Sequence, residues 1–382
     1  MATPSLWKAE FKQGATWYQL PNITALSIFK GRQLQIDDYS IESAQISSEF
    51  PSSWTTTPKL GDQIILYIYK PGVVTGKDNF TCFVGRIRDV AINYGFVENM
   101  DSVTISCEGL QADWGRAQLV NYALAQELTE DQILNLGVAA GLATSQFFGR
   151  SIGSAQTYTG NAFELANLIT RTEEARMWGG EASFKGTPTL YWYGRNTTGL
   201  ITTEYVFNDG TGTPYSLQMK YEGIQFRSSA DNYYNEITID PEGLASQTAT
   251  LSETPIYGWD KTTLDYTTSQ ASDHAQWVLN NFQSKNSTLA SITLTDVQQP
   301  NRYDTGLFNT AFLEVCELPI NTNGKIYFRN DTYYTIIEGV QIDATPEQTR
   351  ITLFMSGQDN NAYLILDNSV YGTLDTNNKY SF

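Results

Sequence analysis

Residues 80–95, FTCFVGRIRDVAINYG, read as one long strand whose apolar side does not stay put. Phe80, Cys82 and Val84 share one face at period two, but after Gly85 the next large apolar residue, Ile87, lies on the opposite face. Arg86 and Arg88 occupy the face just left, and Val90 and Ile92 return to it. A straight strand would set both arginines among buried neighbours, where arginine is almost never found without a partner. One extra residue in a strand inverts every side chain after it, so a bulge or a barrel corner at Gly85 would turn Ile87 inward and both arginines outward. The alternative is a strand that ends at Gly85, with a second beginning there.

The neighbouring segments are of the same kind. TALSIFKG, SIESAQISSEF, DQIILYIYK and SVTISCEGL are strand-like runs separated by Gly, Pro, Asn and Asp. Ile64, Leu66 and Ile68 face one way and Ile65, Tyr67 and Tyr69 the other, which predicts a strand covered on both sides. Val103, Ile105 and Cys107 alternate with polar residues, as in a half-exposed strand. Residues 1–115 are therefore expected to form a first β domain, a small antiparallel barrel or sandwich.

Helical signals follow. LTEDQILNLGVAAGL has Thr129 and Gln132 in capping-box spacing ahead of Ile133, Leu136 and Ala140. In GNAFELANLITRTEEARMWGG, Asn161 is a cap, Leu165, Leu168, Ile169 and Thr172 share a face, and Gly179-Gly180 is the expected stop. With the hairpin ASFKGTPTLYWYGR, these make residues 116–225 an α+β insert. From 226 to 356 strands return, with one helix at SDHAQWVLNNFQ, and 357–382 form a C-terminal extension. The close of this region, TIIEGVQID then RITLFMSG, echoes TCFVGRIRDVAINYG then SVTISCEG, each first strand with an internal glycine, Gly339 and Gly85; a repeated unit and two unrelated strands of similar composition are both open. Tyr334, Ile336, Val340 and Ile342 keep one face, interrupted by Glu338, so the change of side is not expected to recur. The fold class is mainly β with α+β inserts: two antiparallel β regions linked by a smaller α+β region.

Reactive constellations are sparse. The single histidine, His274, lies one position before the apolar stripe of its helix and reads as a boundary residue. The three cysteines, Cys82, Cys107 and Cys316, form no C-x-x-C pair, which argues against a disulfide framework or a zinc site. Asp37-Asp38, Glu173-Glu174 and Asp231 are candidates for a two-carboxylate hydrolase by residue type alone. No catalytic, cofactor-binding or metal-ligating residue is assigned, no cofactor is expected, and the chain is read as a non-enzyme. The aromatic segments TLYWYGR, DNYYNE, NDTYYT and NNAYLILDNSVYG suit a sugar-binding surface or a subunit interface. With charged residues at only 17%, interfaces are favoured, Tyr363, Tyr371 and Leu374 among them. No secretory signal is visible, and the longest apolar run, IILYIY, is too short to span a bilayer. The chain is expected to be made in a cytoplasm.

The order of these pieces resembles the minor tail proteins that form the tail-tip hub of long-tailed phages. The residues that carry the resemblance are GRQLQIDDYSIESAQISSEFPSSW (31–54), LGDQIILYIY (60–69), FVGRIRDVAINYG (83–95), SVTISCEGLQADWGRAQL (102–119) and the helical segment 161–195. The strands of 334–356 and the tail 363–382 complete the series. The resemblance implies a fold related to the baseplate hub of contractile tails, with two tube-like barrels per chain and three chains per ring. It further implies a structural virion protein at the distal end of the tail that adapts sixfold tail rings to threefold tip components. Expected partners are a distal tail protein ring, the C-terminus of a tape-measure protein, and a central fibre or other minor tail proteins. DNA would pass through the lumen, and the host surface would be met indirectly. The net charge of −17 then predicts lumen-facing loops rich in Asp and Glu, which repel phosphates. A receptor- or glycan-binding tail-tip protein and a cell-wall hydrolase are the alternatives.

Overall fold

The computed structural model describes residues 7–34, 37–49, 54, 56–74, 77–95, 101–147, 149, 151–181, 183–194, 204–209, 218–227, 233–282, 288–298, 310–317, 320–329 and 331–357. Asp231 and the three residues Tyr363, Tyr371 and Leu374 lie outside them.

The first strands are β1 (Trp7–Gln13), β2 (Thr16–Gln19), β3 (Ile23–Gly31), β4 (Ser43–Glu49), β5 (Gln63–Val74), β6 (Lys77–Asn93) and β7 (Ser102–Gly109). An insert follows: α1 (Gln111–Arg116), β8 (Gln118–Leu124), β9 (Glu127–Leu128), α2 (Thr129–Ala140), β10 (Thr144–Phe147), β11 (Ile152–Gly153), β12 (Gln156–Asn161), α3 (Ala162–Glu173), β13 (Arg176–Glu181) and β14 (Pro188–Tyr193). Then come β15 (Glu204–Asn208), β16 (Gln218–Lys220) and β17 (Gly223–Arg227), which join the large sheet, so the α+β part ends before residue 225. A second small unit comprises β18 (Glu236–Pro241), β19 (Gln247–Thr250), β20 (Gly258–Thr263) and α4 (Thr268–Phe282). The chain closes with β21 (Thr288–Thr295), α5 (Thr310–Glu317), β22 (Asn323–Phe328), β23 (Asp331–Ala344) and β24 (Thr349–Gly357).

One 14-stranded sheet contains two halves with the same strand order. The first runs β3-β4-β7-β6-β5-β1-β2 and the second β17-β21-β24-β23-β22-β15-β16. The first five strands of each are antiparallel throughout, whereas the β22-β15 and β15-β16 pairs are parallel. The correspondence holds residue by residue. IRDVAIN (87–93) of β6 matches IEGVQID (337–343) of β23, and VTISCEG (103–109) of β7 matches ITLFMSG (351–357) of β24. Both long strands carry a bulge at the same place, Arg88 against β7 and Glu338 against β24.

Among the described residues the strands do not close into two separate barrels. β23 pairs with β3, so the halves share a sheet, and the path among the described residues stays open at β2, β16 and β17. They also share one hydrophobic core, from Trp7 and Phe11 through Ile46, Ile105 and Phe207 to Ile351 and Leu353. The first insert has its own core around Trp114, Ile133, Leu165, Ile169 and Trp192, and the second packs α4 on Ile237 and Ile239.

The change of side in β6 comes from two bulges, neither at Gly85. β5 pairs Leu66 with Phe83 and Tyr67 with Thr81, which leaves Cys82 as an extra residue. Phe83 therefore joins Phe80 and Cys82 in the main core, and Val84 packs on the other face with Ile65, Tyr67 and Leu110. The second bulge, at Arg88, brings Val90 and Ile92 back against the main core. Gly85 lies between them in an unbroken strand, where a Cβ would sit 2.1 Å from the Glu108 carbonyl oxygen. The change of side does recur in the second half: the Glu338 bulge moves the core face from Ile337 to Val340 and Ile342.

Helix ends differ in detail. Asn161 Oδ1 accepts from the Glu164 amide at 2.8 Å, as a cap should. Thr129 is not a cap; it is the first residue of α2, and its hydroxyl donates to Glu173 Oε2 at 3.0 Å. α3 stops at left-handed Glu174, five residues before Gly179-Gly180, which belong to β13.

Candidate assembly site

The junction of the two halves is built around Glu338. As the bulge residue of β23 it is skipped in the register with β24, and its side chain turns into the protein, where it is fully buried. Oε1 accepts from Arg176 Nη2 at 2.6 Å and from Ser356 Oγ at 2.7 Å, and Oε2 accepts from Arg32 Nε at 3.0 Å. Arg32 follows β3, Arg176 opens β13 of the first insert, and both are buried. The Arg32 guanidinium also lies over the Tyr39 ring, 4.7 Å from its centroid. Three parts of the chain thus meet at one carboxylate. Burial by itself would raise the Glu338 pKa, but the charges of Arg176 and Arg32 outweigh it and hold the group down at about 2. In the sequence Glu338 reads only as an interruption of the apolar face; a lone acid in an apolar strand is the available sign of a buried cation elsewhere.

Gly339 and Gly31 face each other directly across the β23–β3 pair. Each would carry its Cβ into the other strand's backbone, 2.3 Å from the Arg32 carbonyl for Gly339 and 2.3 Å from the Glu338 carbonyl for Gly31. In the first half, Ile87 is buried while Arg86 and Arg88 are exposed. Arg86 Nε pairs with Asp113 Oδ2 at 2.8 Å, tying β6 to α1.

The described carboxylates that are candidates for catalysis are each held by structural partners. Glu173 accepts from Thr129 and from the Ser151 amide, Asp38 pairs with Arg171 and Lys261, and the Asp37 carboxylate accepts from the Leu34 amide. His274 is buried rather than at a boundary. Its Nδ1 lies 3.0 Å from Asp265 Oδ2 and its Nε2 3.1 Å from Glu174 Oε1, which joins α4 to the first insert. Burial disfavours the imidazolium, but hydrogen bonds to the two carboxylates prevail and raise its pKa to about 9. A histidine already protonated at neutral pH, enclosed between two acids, is an ion-pair staple and a poor general base. A raised pKa stabilises the fold fully below about 6.5 and loses that contribution as pH climbs through about 9. The wild-type melting temperature is therefore expected to fall by several degrees across that interval, and that of His274→Gln to be lower and flatter; parallel profiles would contradict the assignment. All three cysteines are buried, with their thiol pKa values pushed up by desolvation. Trp192 is fully buried, with Nε1 donating to Thr170 Oγ1, and so cannot line a sugar-binding surface. Among the described residues no cluster of His, Cys, Asp and Glu could hold a metal ion, and no helix is long and apolar enough to cross a membrane.

No family model and no curated protein matches the sequence. Solved structures do match. The 43 kDa tail protein of prophage MuSo2 from Shewanella oneidensis superposes with a TM-score of 0.56 at 13% identity, over 92% of this chain and 98% of that one. The tail protein from Neisseria meningitidis MC58 gives 0.58 at 11% identity, over 91% and 96%. This chain has the phage tail-protein fold. The Escherichia coli c3393 protein, a type VI secretion component described as structurally similar to the phage T4 tail proteins gp27 and gp5, gives 0.52 at 8% identity, over 92% and 77%. The tail-protein fold here is the doubled half just described, since both matched tail proteins are covered almost end to end.

Proposed function

We propose that this chain is a structural, non-enzymatic virion protein of the phage tail tip, and that three copies form a hub ring. The observation that carries this reading is the duplicated half: three chains supply six quasi-equivalent units, which can stack on sixfold tail rings while the assembly keeps threefold symmetry for a fibre. The hub closes the tail tube around the end of the tape-measure protein and opens for DNA passage. Its partners are a distal tail protein ring above and a central fibre or other minor tail proteins below, with the host surface reached through them.

The face of β3, β4 and β7 opposite the core supports a tube wall. It presents Ser27, Ser43, Gln45, Ser47, Thr104 and Ser106 across its middle, with Phe29, Glu49 and Glu108 on the same face and Arg350 of β24 lining the same depression as Ser27, Gln45 and Ser47. On this reading the repulsive charge resides in the loops at the rims. Light scattering of the full chain at high concentration is expected to give three times the 42.7 kDa of one chain; a monomer at every concentration would refute the reading.

A further inference from the structure

The β23–β3 joint has an unfilled counterpart in the same chain. In the second half, β23 runs with the β22 side as far as Ile337, whose amide donates to the Thr322 carbonyl while its carbonyl accepts from the Asn321 amide. Beyond that point β3 takes over as neighbour, from Gly339↔Gly31 to Ala344↔Leu26. In the first half, β6 runs with the β5 side as far as Ile87, whose amide donates to the Asp62 carbonyl while its carbonyl accepts from the Gly61 amide. Beyond that point, among the described residues, Asp89–Asn93 has β7 on one side and no strand on the other. The counterpart of β3 is β17, which pairs with β21 and, among the described residues, with no second strand.

We infer that β17 of one chain adds antiparallel to Asp89–Asn93 of β6 in a second copy, repeating between chains the joint that β3 and β23 make within one. The strand correspondences set the register. Ser27 and Ile28 of β3 match Gln225 and Phe226 of β17, and Ile342 and Asp343 of β23 match Ile92 and Asn93 of β6. Phe226 therefore falls opposite Ile92, Gln225 opposite Asn93 and Arg227 opposite Ala91.

The side chains suit these pairings. The Ile28–Ile342 pair is fully buried, and its counterparts Ile92 and Phe226 are each half-buried against the core, so joining them completes an apolar contact. Ser27 Oγ donates to Asp343 Oδ1 at 2.7 Å, and Gln225 with Asn93 restores a polar pair at that position. Arg227 would lie diagonally across from Asp89, within reach of opposite charges on neighbouring strands. Both edges carry apolar residues, and neither contains proline, a common guard of exposed strands. Because the two surfaces differ, the contact is heterologous and propagates until a ring closes. The inference rests on the hub reading for the number of chains in that ring.

The test is a cysteine pair across the joint in the full chain, Asn93→Cys with Gln225→Cys, under mild oxidation. Directly opposed residues have Cβ atoms about 4.5–5.5 Å apart, close enough for a disulfide after a small adjustment. The intrachain counterpart, Ser27→Cys with Asp343→Cys, is the geometric control and should close without changing the mass. The expected result is a reducible ladder ending at a covalent trimer, absent from either single variant. A second pair, Ala91→Cys with Arg227→Cys, reads the same register if the first fails to fold. A trimer by light scattering that neither pair cross-links would overturn this joint and leave the hub reading intact. A monomer that neither pair cross-links would overturn both.

Discussion

Glu338→Gln is expected to destabilise the protein by about 3–5 kcal/mol, the usual cost of removing one partner from a buried ion cluster. Glutamine keeps the volume and can still accept hydrogen bonds, but it leaves the buried Arg32 and Arg176 guanidinium groups without their shared countercharge. Such a loss is a large fraction of the ~5–15 kcal/mol that holds a typical protein folded. The urea midpoint should drop with little change in slope, since the surface exposed on unfolding is much the same. The wild-type acid limb supplies a second check. A carboxylate held at about 2 instead of 4.5 contributes fully above about pH 4.5, and the contribution disappears as pH falls towards 2. Stability in the glutamine variant should lose that part of its pH dependence. Replacing all three charges together, Glu338→Leu with Arg32→Met and Arg176→Met, should cost less than the sum of the single changes, because no charge is left buried alone. An unchanged midpoint in Glu338→Gln would mean that the arginines find other partners and that the three-way junction does not depend on the carboxylate.

The same residue shows where sequence reading succeeds and where it stops. The echo between IRDVAIN and IEGVQID is local, and so is the alternation of VTISCEG and ITLFMSG; each could be recognised from a few consecutive residues. The meaning of position 338 could not. A period-two count treats Glu338 as a solvent-facing interruption and carries the apolar face straight on to Val340, whereas the bulge inverts the strand there. What makes the bulge tolerable is a pair of arginines 306 and 162 residues away, and nothing in the strand itself announces them. Cys82 misled in the same way, since the extra residue that turns Phe83 inward is visible only against its partner strand β5. His274 reads locally as a helix-boundary residue and Thr129 as a cap, and both instead spend their polar atoms on acids outside their own helices. Long-range polar pairing is illegible and strand identity is legible, whereas the recurrence of the unit shows only as a short echo that two unrelated strands could also give.

Gly31→Ala and Gly339→Ala are expected to be among the most damaging small substitutions in the sheet, at about 4 kcal/mol for Gly31→Ala and somewhat less for Gly339→Ala. Gly31 combines two penalties: its φ of +82° is strained for any residue with a Cβ, and that Cβ would sit 2.3 Å from the Glu338 carbonyl oxygen. Strain of this kind costs roughly 1–3 kcal/mol and overpacking about as much again. Gly339 carries only the second penalty, but its near neighbours are the Arg32 and Lys30 carbonyl oxygens and the Arg32 amide, backbone atoms that can yield only by moving β3 away. Gly14→Ala separates the two effects, since its φ is +60° with nothing within 4 Å, and it should cost about 1 kcal/mol. Hydrogen exchange locates the damage. In Gly339→Ala the amides of β3 and of β23 after Ile337 should exchange faster, while those of β5 and the first part of β6 keep their protection. Gly85→Ala, with its Cβ 2.1 Å from the Glu108 carbonyl, should instead open the β6–β7 pair within the first half. If Gly339→Ala melted and exchanged like the wild type, β3 and β23 would have to separate at little cost, and a joint so compliant could not hold the two halves of the sheet in register.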